Sequence, residues 1–280
     1  MNTRAKASPP LHTHFDDLSP ALRRAIESNT GSVRASHSAG AGLNSLIAAI
    51  LETDSGSVFL KGVPDNHHWA PYQDREATVN PHVAAVSPRL LWHETLEGWN
   101  LLAFEVVEQA RHADYTPGPG FAREDLPMLA ECMKSLGALP CPDLPEILSA
   151  EQRWAGYVEH PGDERHFAGD TLLHTDYNPA NVLITPDRAW IVDWAWPTRG
   201  AAFIDPALLI LRLIDAGHDP AAAEDWAAQL PAWKAADPAA INLFAAANAR
   251  VWRQIANDEQ GSWKQRMAEA ADDWNRLRAS

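Results

Sequence analysis

Short, β-prone apolar runs fill much of residues 32–107, whereas from about residue 120 onward apolar side chains recur at helical spacing. Before the first run, Ser19 to Ile26 predicts a short helix, with Ser19 as N-cap, Pro20 at the first helical position and Leu22 and Ile26 on one face. Strands are predicted over Ser32–Ser36, Ser45–Leu51 and, after the Asp54-Ser55-Gly56 turn, Ser57–Lys61. Gln73 to Ala77 opens a second helix, and Arg89–Trp92 with Trp99–Val107 predicts a hairpin. Further on, Glu124–Leu139 reads as a helix with Asp125 as cap, Pro127 in the first turn and Leu126, Leu129, Met133 and Leu136 inward. A shorter helix follows over Ser149–Glu159. After residue 205 the chain is almost wholly helical, with Asp219 and Asp237 as caps before prolines. Five tryptophans fall there, Trp226, Trp233, Trp252, Trp263 and Trp274; at helical spacing they are expected in the core rather than lining a substrate wall.

Within this frame one segment concentrates polar chemistry. Val182–Thr185 and Ala189–Val192 flank Pro186-Asp187-Arg188 and predict a hairpin. Pairing centred on Asp187 would set Asn181 and Asp193 side by side at its open end. Asp176, five residues before Asn181 across an Asn178-Pro179 turn, can fold back to the same end. Two carboxylates and an amide at one sheet edge suit Mg²⁺ binding and the alignment of a hydroxyl with a phosphate.

The order His174-x-Asp176-x4-Asn181 followed by Asp193 resembles the catalytic loop and metal-binding Asp of protein-kinase-like enzymes. HTDYNPANVLI and IVDWAWP resemble the aminoglycoside phosphotransferase family more than protein kinases, which would carry Gly after Asp193-Trp194 and an Ala-Pro-Glu segment. The resemblance implies an α+β, two-lobed protein-kinase-like fold. A small β-rich N-lobe would span residues 1–107 with its leading arm, and a larger, mainly helical C-lobe residues 108–280. It implies ATP (or GTP) and Mg²⁺ as cofactors. Asp176 would orient the acceptor hydroxyl, His174 would fix the loop by hydrogen bonding, Asn181 and Asp193 would hold the metal, and Asp205 would brace the loop. The loop His37–Ser45, with Gly40, Gly42 and Ser45, stands where the phosphates would be approached; read alone, it is a flexible connection. Its last position departs from the protein-kinase glycine pattern. Lys61 would neutralise phosphates, held by Glu76, with Asp74 as competitor. The backbone from Glu105 to Val107 would meet adenine. Phe59, on the strand face of Lys61, departs from the small residue expected over the purine.

Composition narrows the partners. The net charge of −14 over 280 residues argues against nucleic acid. The charge is −3 over residues 1–105 and −11 over 106–280, which would suit a cationic acceptor, although acidic surfaces also serve solubility. Two cysteines, Cys132 and Cys141, make no disulfide or zinc framework, and a reducing cytoplasm is expected. No run approaches a membrane span and no apolar leader is apparent. The expected activity is transfer of the γ-phosphate to a hydroxyl of a small molecule, cationic or antibiotic-type, by a monomer or weak homodimer. A non-catalytic kinase-like binding protein and a metal-dependent phosphohydrolase are the alternatives.

Overall fold

The computed structural model describes residues 13–39, 45–118, 122–259 and 261–280. Packing divides the chain into two compact units, Met1–Ala84 with Pro88–Glu108, and Ala85–Ser87 with Gln109–Ser280.

The first unit is built on α1 (Pro20–Thr30), five strands β1 (Val33–Ser38), β2 (Ile47–Thr53), β3 (Gly56–Pro64), β4 (Leu90–Leu96) and β5 (Trp99–Glu105), and α2 (Ala70–Val79) between β3 and β4. The sheet is antiparallel in the order β1-β2-β3-β5-β4. Ser19 caps α1 through its Oγ, which accepts from Leu22 N at 3.1 Å. Leu22 and Ile26 then pack with Phe15 and Leu18 against Ile47, Ala49, Leu51, Val58, Leu60, Leu101 and Ala103. Because strand side chains alternate, Val58 and Leu60 meet this core while Lys61 points to the opposite face, where α2 lies. β4 and β5 are joined by Glu97-Gly98 alone; both have positive φ, 49° and 79°, as a two-residue loop matched to strand twist requires. α2 begins at Ala70, three residues before the expected start, and β5 ends at Glu105, two residues short of Val107.

In the second unit, β6 (Arg111–His112) precedes α3 (Ala122–Gly137), β7 (Leu148–Ser149) and α4 (Ala150–Trp154). There follow β8 (Thr171–Leu173), β9 (Val182–Ile184), β10 (Ala189–Ile191), β11 (Thr198–Gly200) and α5 (Ile204–Asp215). Then come α6 (Pro220–Ala227), α7 (Pro231–Lys234), α8 (Pro238–Asp258) and α9 (Ser262–Ala279). The strands form two small sheets, β10-β9-β6 and β7-β11-β8. Asp219 and Asp237 cap α6 and α8 through their side chains. Phe244 of α8 anchors the core, edge-on to Trp154, Phe167 and Phe203 at 5.0, 5.2 and 5.8 Å. Trp233 and Trp274 are buried; Trp226 and Trp252 are half-buried and Trp263 is exposed. Among the described residues no helix is long and apolar enough to cross a membrane.

Two expectations fail here for identifiable reasons. Asp125 is not the cap of α3, which starts three residues earlier and leaves Pro127 inside the helix. Its carboxylate, 0% exposed, instead accepts both terminal nitrogens of Arg111, at 2.7 and 2.5 Å, and the Asp114 amide at 2.9 Å. The second failure is the register of the β9–β10 hairpin. Ala189 pairs with Ile184 and Ile191 with Val182, so the centre falls between Pro186 and Asp187 and Asn181 lies opposite Val192. The Thr185 Oγ contact with Asp187 (2.6 Å) and the Thr185 N to Arg188 O bond (2.9 Å) close the turn one residue tighter than assumed.

The Arg111–Asp125 pair generates a stability prediction. Removing one member of a buried pair strands the other, and Asp125→Ala is expected to cost about 3 kcal/mol in urea unfolding, the low end because Arg111 is partly solvated. A loss under about 1 kcal/mol, the scale of an exposed pair, would contradict that reading.

Candidate active site

The segment from His174 to Asn181 follows β8, which pairs with β11 through Leu173 and Thr198. Directly after it, four residues are tied to α5. Asp205, in the first turn of α5, accepts His174 N at 3.0 Å, Thr175 N at 2.9 Å and the Tyr177 hydroxyl at 3.0 Å. It is 4% exposed, and burial raises its carboxyl above the usual range although these bonds pull the other way. Two helical turns later Arg212 donates through Nη2 to Asp176 Oδ1 at 2.9 Å.

His174 is buried, and both ring nitrogens face backbone. Nε2 donates to the carbonyls of Val192 (3.1 Å) and Asp193 (3.2 Å), while Nδ1 accepts Asp176 N at 3.3 Å. Its ring stands edge-on to Trp194 and Tyr177, at 4.7 and 5.7 Å. His174 therefore clips residues 174–176 to the chain at Asp193 and is a positioning group; no nitrogen is left for proton transfer. These hydrogen bonds are of the kind the resemblance implies for His174.

Asp176 accepts hydrogen bonds on both carboxylate oxygens. Oδ1 accepts from Arg212 and from Asn178 N (3.2 Å), and Oδ2 accepts Asn181 Nδ2 at 3.0 Å. Asn181 ends a 3-10 turn begun by Pro179, with Asn178 Oδ1 accepting Ala180 N. With its Nδ2 spent on Asp176, Asn181 has Oδ1 to offer a cation. Asp193 lies one residue past Val192, whose amide donates to Asn181 O at 2.9 Å. The side-by-side pairing expected of Asn181 and Asp193 thus becomes a one-residue offset, and Asp193 takes a left-handed φ of 64°. Thr175, just before Asp176, is also left-handed at 67°. A β-branched residue rarely adopts this conformation, and holding it costs about 1–3 kcal/mol. Thr175 is held by its bond to Asp205 and by Oγ1, which donates to Trp196 O at 2.7 Å and accepts from Arg153 at 2.5 Å.

A second constellation lies within the first unit. Lys61 Nζ and Glu76 Oε2 are 2.6 Å apart, with side chains 8% and 5% exposed. Asp74 instead accepts from Asn100 Nδ2 (2.6 Å) and faces His93 (3.2 Å). Ser45 Oγ accepts from Gln73 Nε2 at 3.3 Å, placing it against the same helix. Gly40 and Gly42 lie outside the described residues. The Glu105 amide is spent on Arg89 O at 3.0 Å, which removes it as a donor to an adenine ring. Val107 N and O make no hydrogen bond among the described residues.

The metal fit can be judged from donor chemistry. Among the described residues no three His, Cys, Asp or Glu side chains are grouped to hold an ion. Mg²⁺ needs no such cage: one or two protein oxygens suffice when phosphates and water complete an octahedron. Asp193 and Asn181 Oδ1 are hard oxygen donors of that kind.

Sequence reading missed Arg212 and Arg153. A signal for Arg212 was present, since it is the lone charge within Ala207-Leu-Leu-Ile-Leu-Arg-Leu-Ile, and a cation in such a run needs a partner.

The Lys61–Glu76 pair predicts strong coupling. Lys61→Met and Glu76→Gln should each lose about 3 kcal/mol, and the double variant much less than their sum, by urea unfolding. Additive losses would show that the pair is not coupled.

No protein-family model matches the chain, and no curated protein does. Solved structures do. Choline kinase LicA from Streptococcus pneumoniae superposes with a TM-score of 0.62 at 13% identity, over 91% of this chain and 98% of that one. Aminoglycoside phosphotransferase APH(4)-Ia gives 0.54 at 14%, over 90% and 98%. A choline/ethanolamine kinase family protein from Mesorhizobium loti gives 0.55 at 16%, over 91% and 92%. The chain has the two-lobed, protein-kinase-like fold of these choline kinase and aminoglycoside phosphotransferase structures.

Proposed function

We propose that the protein is a small-molecule kinase that transfers the γ-phosphate of ATP or GTP to a hydroxyl, with Mg²⁺. The observation that carries the reading is Asp176, oriented on three sides by Arg212, Asn178 and Asn181. A carboxylate has about four acceptor positions, two per oxygen. Oδ1 is filled twice and Oδ2 once, so the remaining position on Oδ2 would receive the acceptor hydroxyl and its proton. Phosphoryl transfer passes through a loose transition state, in which alignment matters more than base strength.

The other roles follow from chemistry. Asp193 and Asn181 would hold Mg²⁺, which when bound neutralises phosphate charge. Lys61, fixed by Glu76, would neutralise phosphate oxygens. The backbone of Val107 would meet the base. Nucleotide use is supported by LicA having been solved with AMP and APH(4)-Ia with ADP and hygromycin B. A cationic acceptor was expected from the acidic second half, but net charge says little about one pocket, and the guanidinium on Asp176 does not favour it.

The test is ADP release with Mg²⁺-ATP and Mg²⁺-GTP across aminoglycosides, amino alcohols, sugars, hydroxy acids and nucleosides. Asp176→Asn should lower kcat by about 10²–10⁴ with little change in Mg²⁺-ADP affinity, and Asp193→Ala should abolish turnover. Wild-type turnover in Asp176→Asn would remove Asp176 from its role. Failure to bind nucleotide or turn over any acceptor would sink the kinase reading.

A further inference from the structure

Arg212 is held but not satisfied. Its guanidinium carries five N–H donors in a rigid fork. Among the described residues it makes one bond to Asp176 Oδ1 (2.9 Å) and one weak contact from Nη1 to the Met267 sulfur (3.5 Å). Its side chain is only 12% exposed, and it lies over the Trp252 ring, 5.8 Å from the centroid. Trp252 is in turn edge-on to the exposed Trp263 at 6.0 Å. Three of its five N–H donors thus have no partner among the described residues, beside the group that would take the hydroxyl proton.

A second polar group, the Tyr115 hydroxyl, is buried and has no hydrogen-bond partner among the described residues. Burial pushes its phenol up, with the Arg212 guanidinium pulling it down and the Asp176 carboxylate pushing it up. Asp176 and Arg212 cancel each other's charge, so their pair does not attract a cationic acceptor. An ammonium brought to Asp176 would meet the guanidinium; a carboxylate or phosphate ester would meet its spare donors in the two-pronged geometry such oxyanions prefer.

We infer that Arg212 is a specificity residue, and that the acceptor carries an oxyanion, carboxylate or phosphate ester, a few bonds from the hydroxyl that Asp176 Oδ2 receives. This rests on the kinase reading for the role of Asp176 but can be tested by binding alone.

The probes are glycerate, glycerol 3-phosphate, glycerol and choline, titrated calorimetrically into wild type, Arg212→Lys and Arg212→Gln in the presence of Mg²⁺-ADP. At least one of the two anions should bind about tenfold more tightly than glycerol or choline, a margin of roughly 1.4 kcal/mol. Arg212→Gln should erase that margin and Arg212→Lys should restore part of it, while both variants keep Mg²⁺-ADP affinity. Comparing glycerate with glycerol 3-phosphate distinguishes carboxylate from phosphate. Anions binding no better than glycerol, or an unchanged margin in Arg212→Gln, would overturn the inference. A wild-type protein that binds Mg²⁺-ADP but discriminates no charge loses this inference only; one that binds no Mg²⁺-ADP loses the kinase reading as well.

Discussion

The buried carboxylate of Asp205 is the interaction on which the candidate active site depends. It collects two consecutive backbone amides, His174 and Thr175, and the Tyr177 hydroxyl, so that three residues around Asp176 are fixed from one helix end. Bonds to a charged acceptor are worth about 1.5–3 kcal/mol each, enough to offset the strained backbone of Thr175. The raised carboxyl of Asp205 shows which effect on the charge is larger: burial outweighs the three donors. Such an arrangement is weak evidence of net stabilisation and strong evidence of fixed geometry.

Helix α5 carries this brace and a second one. Asp205 and Arg212 are seven residues apart, two turns on one face, and they hold residues 174, 175 and 177 on one side and 176 on the other. The apolar residues between them, Ala207, Leu209, Ile210 and Leu211, are buried and fix α5 in the core. Arg212 also lies in the last turn, where a cation complements the helix dipole. His174 adds a third tie, to the carbonyls at Val192 and Asp193. Asp176 is thereby placed by bonds to its own side chain and to the backbone on either side of it.

Much of this was legible because motif chemistry survives as chain offsets. His174, Asp176, Asn181 and Asp193 could be named because their spacing carries a family resemblance, and Lys61 with Glu76 because that resemblance implies such a pair. The β-rich and helical parts followed from apolar period, and Ser19, Asp219 and Asp237 from cap chemistry. What failed depended on tertiary partners. Asp125 has the look of a cap until Arg111 reaches it across fourteen residues outside any local pattern. The hairpin register turned on one hydroxyl, Thr185, which tightened the turn by a residue. Arg212 was not singled out, and its partner lies 36 positions earlier. The two braces at the ends of α5 are long-range contacts, visible only after folding.

The most direct test of the brace is amide hydrogen exchange at His174 and Thr175 in wild type and in Asp205→Asn, with Ile191 and α8 as internal references. An asparagine presents an NH₂ group to one of those amides and cannot accept from all three donors. The predicted result is that these two amides are protected in wild type and lose at least about tenfold of their protection in the variant, while α8 keeps its own. Unchanged protection at His174 and Thr175 would contradict the claim that Asp205 holds the segment around Asp176 in place.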